Sequence, residues 1–120
     1  MGNLTKAKLL RIFLGDSDKI GGLPVYEKII RDARKMNLSG ATAFKGFMGF
    51  GRNSKIHTSK ILAISDDLPV VVEIVDSIEK IEEFLPFLEK IFEEADCGGL
   101  ITIEEATILK HAKSVRKKGN

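Results

Sequence analysis

The chain has no Trp, one Tyr, one Cys and three Pro in 120 residues. The lone Cys97 cannot close an internal disulfide and has no CxxC partner, which excludes a disulfide-stapled scaffold and a thiolate metal site. No uninterrupted apolar run approaches the roughly 20 residues that a bilayer-spanning helix needs. No apolar N-terminal stretch with a small-residue cleavage site precedes the first charged residues, so a cytoplasmic protein is expected. Charge of either sign is not in excess: 19 Lys and Arg face 17 Asp and Glu, a net +2, and bulk electrostatics does not announce a polyanion partner. The basic cluster Lys113, Arg116, Lys117, Lys118 reads as a solvated tail.

Catalytic patterns are equally scarce. His57 and His111 lie far apart, and nothing resembles HExxH or another ligand cluster, so no metal site is expected. There is no GxxxxGK[ST] element and no GxSxG elbow, and Ser54, Ser59 and Ser65 lack an obvious base. Glu104 and Glu105 are neighbours on a strand-like run and point to opposite faces, which suits edge solubility better than a carboxylate pair. A non-enzyme is the expectation.

What is present is a single domain's worth of apolar material, 43% of the residues. Lys8 to Leu14 alternates as a strand, with Leu10, Ile12 and Leu14 on one face and Leu9, Arg11 and Phe13 on the other. Gly15 to Gly22 breaks that pattern. Leu23, Tyr26, Ile30 and Ala33 then recur at helical spacing, with Pro24 near the first turn and an end near Asn37. Gly40 to Lys45 reads as a short strand, Gly46 to about His57 as a loop, Thr58 to Ser65 as a strand, and Pro69 opens the strand Val70 to Val75. Asp76, three residues before Glu79, marks a helix N-cap. Ile78, Ile81, Leu85, Leu88, Phe92 and Ala95 form one apolar stripe, Pro86 predicts a kink, and Gly98 and Gly99 predict the stop. Leu100 to Leu109 supplies a last strand. The order strand, helix, strand, strand, helix, strand predicts an α+β fold of ferredoxin-like βαββαβ type over residues 1–112, an antiparallel sheet with both helices on one face, followed by the tail 113–120. The other face would then expose Leu9, Phe13, Val71 and Val75, so a homo-oligomer built through the sheets is expected.

The segment Lys45-Gly46-Phe47-Met48-Gly49-Phe50-Gly51-Arg52 admits three readings. It can be a plain mobile connection whose Phe47 and Phe50 tuck against the sheet. It can be part of an RNA-recognition domain, since Ile12-Phe13-Leu14-Gly15 and Lys45-Gly46-Phe47 resemble the two strand motifs of that fold. Against this, two strand-like runs stand between the segment and the helix at Asp76, and Met48 and Gly49 replace the small residue and aromatic of the motif, so no nucleic acid is expected. Third, glycines without Cβ let backbone N–H groups approach an anion, with Arg52 and Lys55 supplying charge.

Gly40-Ala41-Thr42, Gly49-Phe50-Gly51-Arg52, Leu68-Pro69 and Val72-Glu73-Ile74-Val75 resemble, in order and spacing, the framework of PII signalling proteins. The closer likeness is to a branch of small PII-like proteins of uncharacterised function, similar to this chain from Leu9 through Leu109, including Leu14-Gly15 and Ile56-His57-Thr58. The resemblance implies a ferredoxin-like subunit in a homotrimer, with clefts between subunits that hold adenine nucleotides in PII proteins, and a long loop that inserts into a partner protein. A membrane transporter or channel is among the candidate partners. Thr42, Gly49, Phe50, Gly51 and Arg52 match positions lining the cleft. Gly46, Phe47, Met48, Lys55 and Ile56 fall on the partner loop. Three departures stand out: Asn53 where PII has Gln for metal-assisted 2-oxoglutarate binding, Val70 where PII has a phosphate-facing Lys, and a turn Asp96-Cys97-Gly98-Gly99 too short for the basic phosphate-holding loop. Triphosphate binding as in PII is therefore not expected, while a smaller adenine nucleotide, another metabolite or no ligand stay open. The rivals are a ligand-free structural or assembly trimer, and an enzyme using Lys45, Arg52 and His57 for phosphoryl chemistry.

Overall fold

The structure, a computed structural model, describes residues 4–52, 56–58 and 67–114. In chain order its elements are β1 (Thr5–Gly15), β2 (Lys19–Ile20), β3 (Leu23–Pro24), α1 (Val25–Lys35), β4 (Thr42–Lys45), β5 (Met48–Gly49), β6 (His57–Thr58), β7 (Pro69–Ser77), α2 (Ile78–Ala95) and β8 (Leu100–Ile108). The main sheet has the order β4-β7-β1-β8, with every neighbouring pair antiparallel. β4 and β8 thus each lie parallel to the strand that precedes their helix, one strand removed from it, which is the split βαβ arrangement of the ferredoxin-like fold. The α+β expectation holds, with two helices over one face of an antiparallel sheet.

Alternation along the two central strands decides which face is covered. Leu10, Ile12 and Leu14 of β1 and Val70, Val72 and Ile74 of β7 are buried against Val25, Ile29 and Ala33 of α1 and Ile81, Phe84, Leu88 and Ile91 of α2. The opposite parity, Leu9, Arg11 and Phe13 with Val71, Glu73 and Val75, faces away from the helices, as the sequence predicts.

The connections carry the differences. Gly15 to Gly22 is not featureless: Lys19–Ile20 pairs with Leu23–Pro24 around Gly21 and Gly22, whose φ values of 56° and 82° are those a two-residue hairpin turn demands. This small hairpin places the Asp18 carbonyl to accept from Val25 N–H at 2.9 Å, supplying the first turn of α1 with an acceptor that Pro24 at the N-cap does not provide. α1 closes in a Schellman motif, with Asn37 left-handed at φ 64° and Leu38 N–H donating to the Ala33 carbonyl at 3.0 Å.

Asp76 is not the cap of α2. Ser77 is, its Oγ accepting from Lys80 N–H at 3.2 Å. Asp76 belongs to β7 opposite Lys8, and its buried carboxylate accepts from Ser39 N–H and Ser77 N–H, both at 2.7 Å. It therefore ties the α1–β4 connection to the start of α2. α2 runs unbroken through Pro86 and ends on Asp96 in the left-handed region, φ 51°, before either glycine is reached. Gly99 serves another purpose: a Cβ there would lie 2.6 Å from the Phe92 ring and 2.7 Å from the Phe13 carbonyl oxygen. The segment expected as a loop contains the short ladder Met48↔Thr58, Gly49↔His57. Apart from Thr58, the strand expected over Thr58 to Ser65 lies outside the described residues.

Candidate functional site

β4 leads into the glycine-rich segment at the end of the sheet where β1 finishes and β7 begins, because Lys45 pairs with Val70 and Gly15 with Pro69. Gly46 and Gly49 both pack on the Pro69 ring: a Cβ would lie 2.9 Å from Pro69 Cγ at Gly46 and 3.2 Å at Gly49. Gly46 N–H also donates to the Pro69 carbonyl at 2.7 Å. Those two glycines are thus explained by close approach. Gly51 meets nothing within 4 Å, and neither it nor Arg52 is covered.

A carboxylate clasp holds the same base from the other side. Asp16 N–H donates to the Leu68 carbonyl at 2.9 Å, and Leu68 N–H returns to Asp16 Oδ1 at 3.1 Å. Asp16 Oδ2 takes Lys45 Nζ at 3.1 Å, a bond that raises the Lys45 pKa. Asp67 Oδ1 accepts from Ser17 N–H at 2.7 Å, its carboxylate resting where any side chain at Gly15 would have to go. Residues 45–46, where the segment leaves β4, and 67–69, where the chain re-enters the sheet, are therefore fixed to β1 and to each other.

Thr42 sits elsewhere. It pairs with Glu73, four residues along β7 from Pro69, or ~13 Å at the usual strand rise. The structure brings Gly46 and Gly49 together on Pro69 but leaves Thr42 at a different level of the strand, so one ligand touching both would have to extend along β4. Two concavities on the helix side, one lined by Asp32, Lys35, Met36 and Phe87 and one by residues from Ile30 to Ala41, contain no residue of the 46–52 segment. Lys55 lies outside the described residues; Phe47, Met48, Phe50 and Ile56 are exposed.

The open sheet face holds a feature that sequence reasoning assigned otherwise. Arg11, at its centre, donates through Nε to Glu73 Oε2 at 2.8 Å and through Nη1 to Glu104 Oε2 at 2.7 Å. Those bonds, Glu73 first, raise the Arg11 pKa. Glu104 is therefore bound into an ion triad across three strands, and only Glu105 keeps the solubility role. The register Arg11↔Glu73 could have suggested half of it once the strands were aligned; the diagonal to Glu104 needs the β1–β8 pairing. Beyond Thr42 and Thr102, which flank the triad, the face carries large apolar side chains, with Phe44, Val75 and Leu100 well exposed.

Burial raises the Asp18 carboxyl above its ordinary 3.8, and the nearby Asp67 charge adds to the rise. An acid whose folded-state pKa is raised holds its proton more tightly folded than unfolded, so stability from this group is lost as pH climbs from 3.8 through the raised value. Asp18→Asn is expected to raise Tm at neutral pH and to leave it unchanged below pH 3.8. Calorimetry at the two pH values checks this, and an equal effect at both would contradict it.

Among the described residues no group of three or more His, Cys, Asp and Glu is placed to hold a metal, and no helix is long and apolar enough to cross a membrane. Residues 7–108 match the family DUF190, described as "Uncharacterized ACR, COG1993". The chain belongs to that family. Its relatives include a UPF0166 protein of Aquifex aeolicus (strain VF5), 38% identical over 106 residues that cover 88% of this chain and 96% of the relative. UPF0166 protein MJ1524 of Methanocaldococcus jannaschii is 36% identical over 107 residues, covering 89% and 95%. Among solved structures the chain is similar to CPII, a nitrogen regulatory PII-like protein from Thiomonas intermedia K12 bound to ADP, AMP and bicarbonate. That match has a TM-score of 0.69 at 16% identity and covers 92% of this chain and 94% of that one. A PII-like signalling protein of Thermus thermophilus, TTHA0516, matches with a TM-score of 0.63 at 14% identity, covering 89% and 93%. The fold of this family member is thus PII-like.

Proposed function

We propose that the protein is a PII-like regulatory subunit, not an enzyme, that works in the cytoplasm as a homotrimer, binds a small ligand in clefts between subunits, and docks its 46–56 loop on a partner protein. The observation that carries the reading is the open sheet face: a PII-like fold in which large apolar side chains surround an Arg11–Glu73–Glu104 triad opposite both helices. A second copy would remove that apolar surface from water at roughly 25 cal/mol per Å². The ligand reading is supported by CPII, whose structure holds ADP and AMP, and by Gly49, which packs on Pro69 at the clasped loop base and leads into Phe50, Gly51 and Arg52. The short Asp96 to Gly99 turn favours a nucleotide with fewer phosphates than ATP, and the clasp through Asp16 and Lys45 offers a route by which cleft occupancy biases the loop.

A thermal-shift series with AMP, ADP, ATP and cyclic dinucleotides tests the sensor. A ligand that binds only the native state at about 100 times its Kd adds ~2.7 kcal/mol, which is several degrees in Tm. The expected result is a rise with AMP or ADP that is diminished in Arg52→Ala. A flat series would leave the ligand-free assembly trimer as the surviving reading.

A further inference from the structure

The charge of this chain is unevenly distributed. From Ala33 to Ser65 there is no Asp or Glu, although the whole chain has 17, while Arg34, Lys35, Lys45, Arg52, Lys55 and Lys60 all fall inside that interval. The part of it at the loop end of the sheet also holds four exposed large apolar side chains, among them the two most exposed such side chains of the described residues. Phe47 is 76% exposed, Phe50 69%, Ile56 56% and Met48 55%. Met48 pairs with Thr58 and Gly49 with His57, and the next position of that register sets Phe50 opposite Ile56. Met48, Phe50 and Ile56 therefore share one face of the ribbon, since positions two apart on a strand, and residues directly opposite, point the same way.

We propose that this hairpin docks on an anionic bilayer surface, with Phe47, Met48, Phe50 and Ile56 entering the headgroup boundary and Arg52 meeting lipid phosphates. Charge complementarity selects this occupant. Aromatic and aliphatic groups flanked by cations and free of carboxylates have the composition of interfacial membrane anchors. A second copy of the same loop would bring like charge against like. Among the described residues, Asp16 and Asp67 stay at the base, engaged with Lys45, Leu68 N–H and Ser17 N–H, where they hold residues 45–46 and 67–69 to β1. β8 ends opposite Thr5, at the far end of the sheet from Pro69. The proposal rests on the reading that the loop is the docking element, and it moves the first contact from a protein to lipid.

The test is co-sedimentation of the full chain with protein-free vesicles of phosphatidylcholine, with and without phosphatidylglycerol. At about 0.1 M salt, where the Debye length is ~10 Å, binding to the anionic vesicles is expected to be at least ~tenfold tighter than to the neutral ones. It should fall sharply at about 1 M salt, where that length is ~3 Å. Phe47→Ser/Phe50→Ser is expected to abolish binding, whereas Phe87→Ser, at an exposed aromatic on the helix side, is expected to retain it. Equal or absent binding to the two vesicle types overturns the proposal, as does binding that survives Phe47→Ser/Phe50→Ser. Binding to membranes that contain proteins but not to vesicles of the same lipids overturns it too and returns the loop to a protein partner. The nucleotide thermal shift is independent of these outcomes, so the lipid proposal and the sensor reading fail separately.

Discussion

If the proposed trimer forms through the open sheet face, Arg11→Glu is expected to convert it to monomers. In the native chain one guanidinium serves two carboxylates on flanking strands, Glu73 at 2.8 Å and Glu104 at 2.7 Å, in the middle of a face that also carries Leu9, Phe13, Phe44, Val71, Val75 and Leu100, with Thr102 beside Arg11 and Thr42 beside Glu73. The substitution sets three carboxylates on adjacent strands, with residue 11 directly opposite Glu73, a pairing that is destabilising for like charges. If that face lies between subunits, each copy adds its own three, and the lower dielectric of an interface amplifies the repulsion. Sedimentation equilibrium at micromolar concentration reads the result, and an unchanged oligomeric mass would refute the open-face argument. Two further measurements separate charge from general damage. Mutual repulsion raises carboxylate pKa values, so the variant is expected to reassemble on acidification at a pH above the ordinary Glu value of about 4.3. The swap Arg11→Glu/Glu73→Arg restores opposite charges across the β1–β7 pair and is expected to recover part of the assembly.

The faces of the sheet were legible because strand periodicity is strict: a residue two positions from Leu10 must share its side, so the two sets of β1 and β7 follow from the sequence, and the packing of α1 and α2 decides which of them is covered. Turn chemistry was less so. Gly21-Gly22 is a hairpin signal that the surrounding Lys19, Ile20 and Leu23 are too few to make visible as strands. Asp76 satisfies the N-cap pattern one residue too early, and what decides between Asp76 and Ser77 is the distant Ser39 N–H that claims the aspartate. At the loop, three glycines in six residues signalled backbone freedom, yet Gly46 and Gly49 are required by the Pro69 ring, contacts across 23 and 20 positions that no local pattern carries. The Asp16 clasp is of the same kind. Its members are spread over residues 16, 45 and 68, and only the strand order β4-β7-β1 brings them to one end of the sheet.

The helix stripe supplies the sharpest stability contrast. Spacing by threes and fours selects Ile81, Leu85 and Leu88 in α2, but it leaves Phe84 and Phe87 undecided, because both lie within one turn of that line. The structure separates them: Phe84 is fully buried at 0% and Phe87 is 52% exposed. Phe84 packs in the cluster with Ile81, Leu88, Ile29 and the β1 and β7 side chains, so the sheet beneath α2, together with α1 beside it on the same face, is what rotates the apolar stripe toward Phe84. Phe84→Ala is expected to cost ~3–5 kcal/mol, the transfer of the ring plus the cavity it leaves. Against a domain stability of about 5–15 kcal/mol, that is enough to move the denaturant midpoint far down. Phe87→Ala is expected to change stability by no more than ~0.5 kcal/mol. Chemical denaturation of both variants at one fixed protomer concentration checks the pair, since assembly makes apparent stability concentration-dependent. Comparable losses at the two positions would mean that Phe87 is covered in solution by something other than this chain's own core.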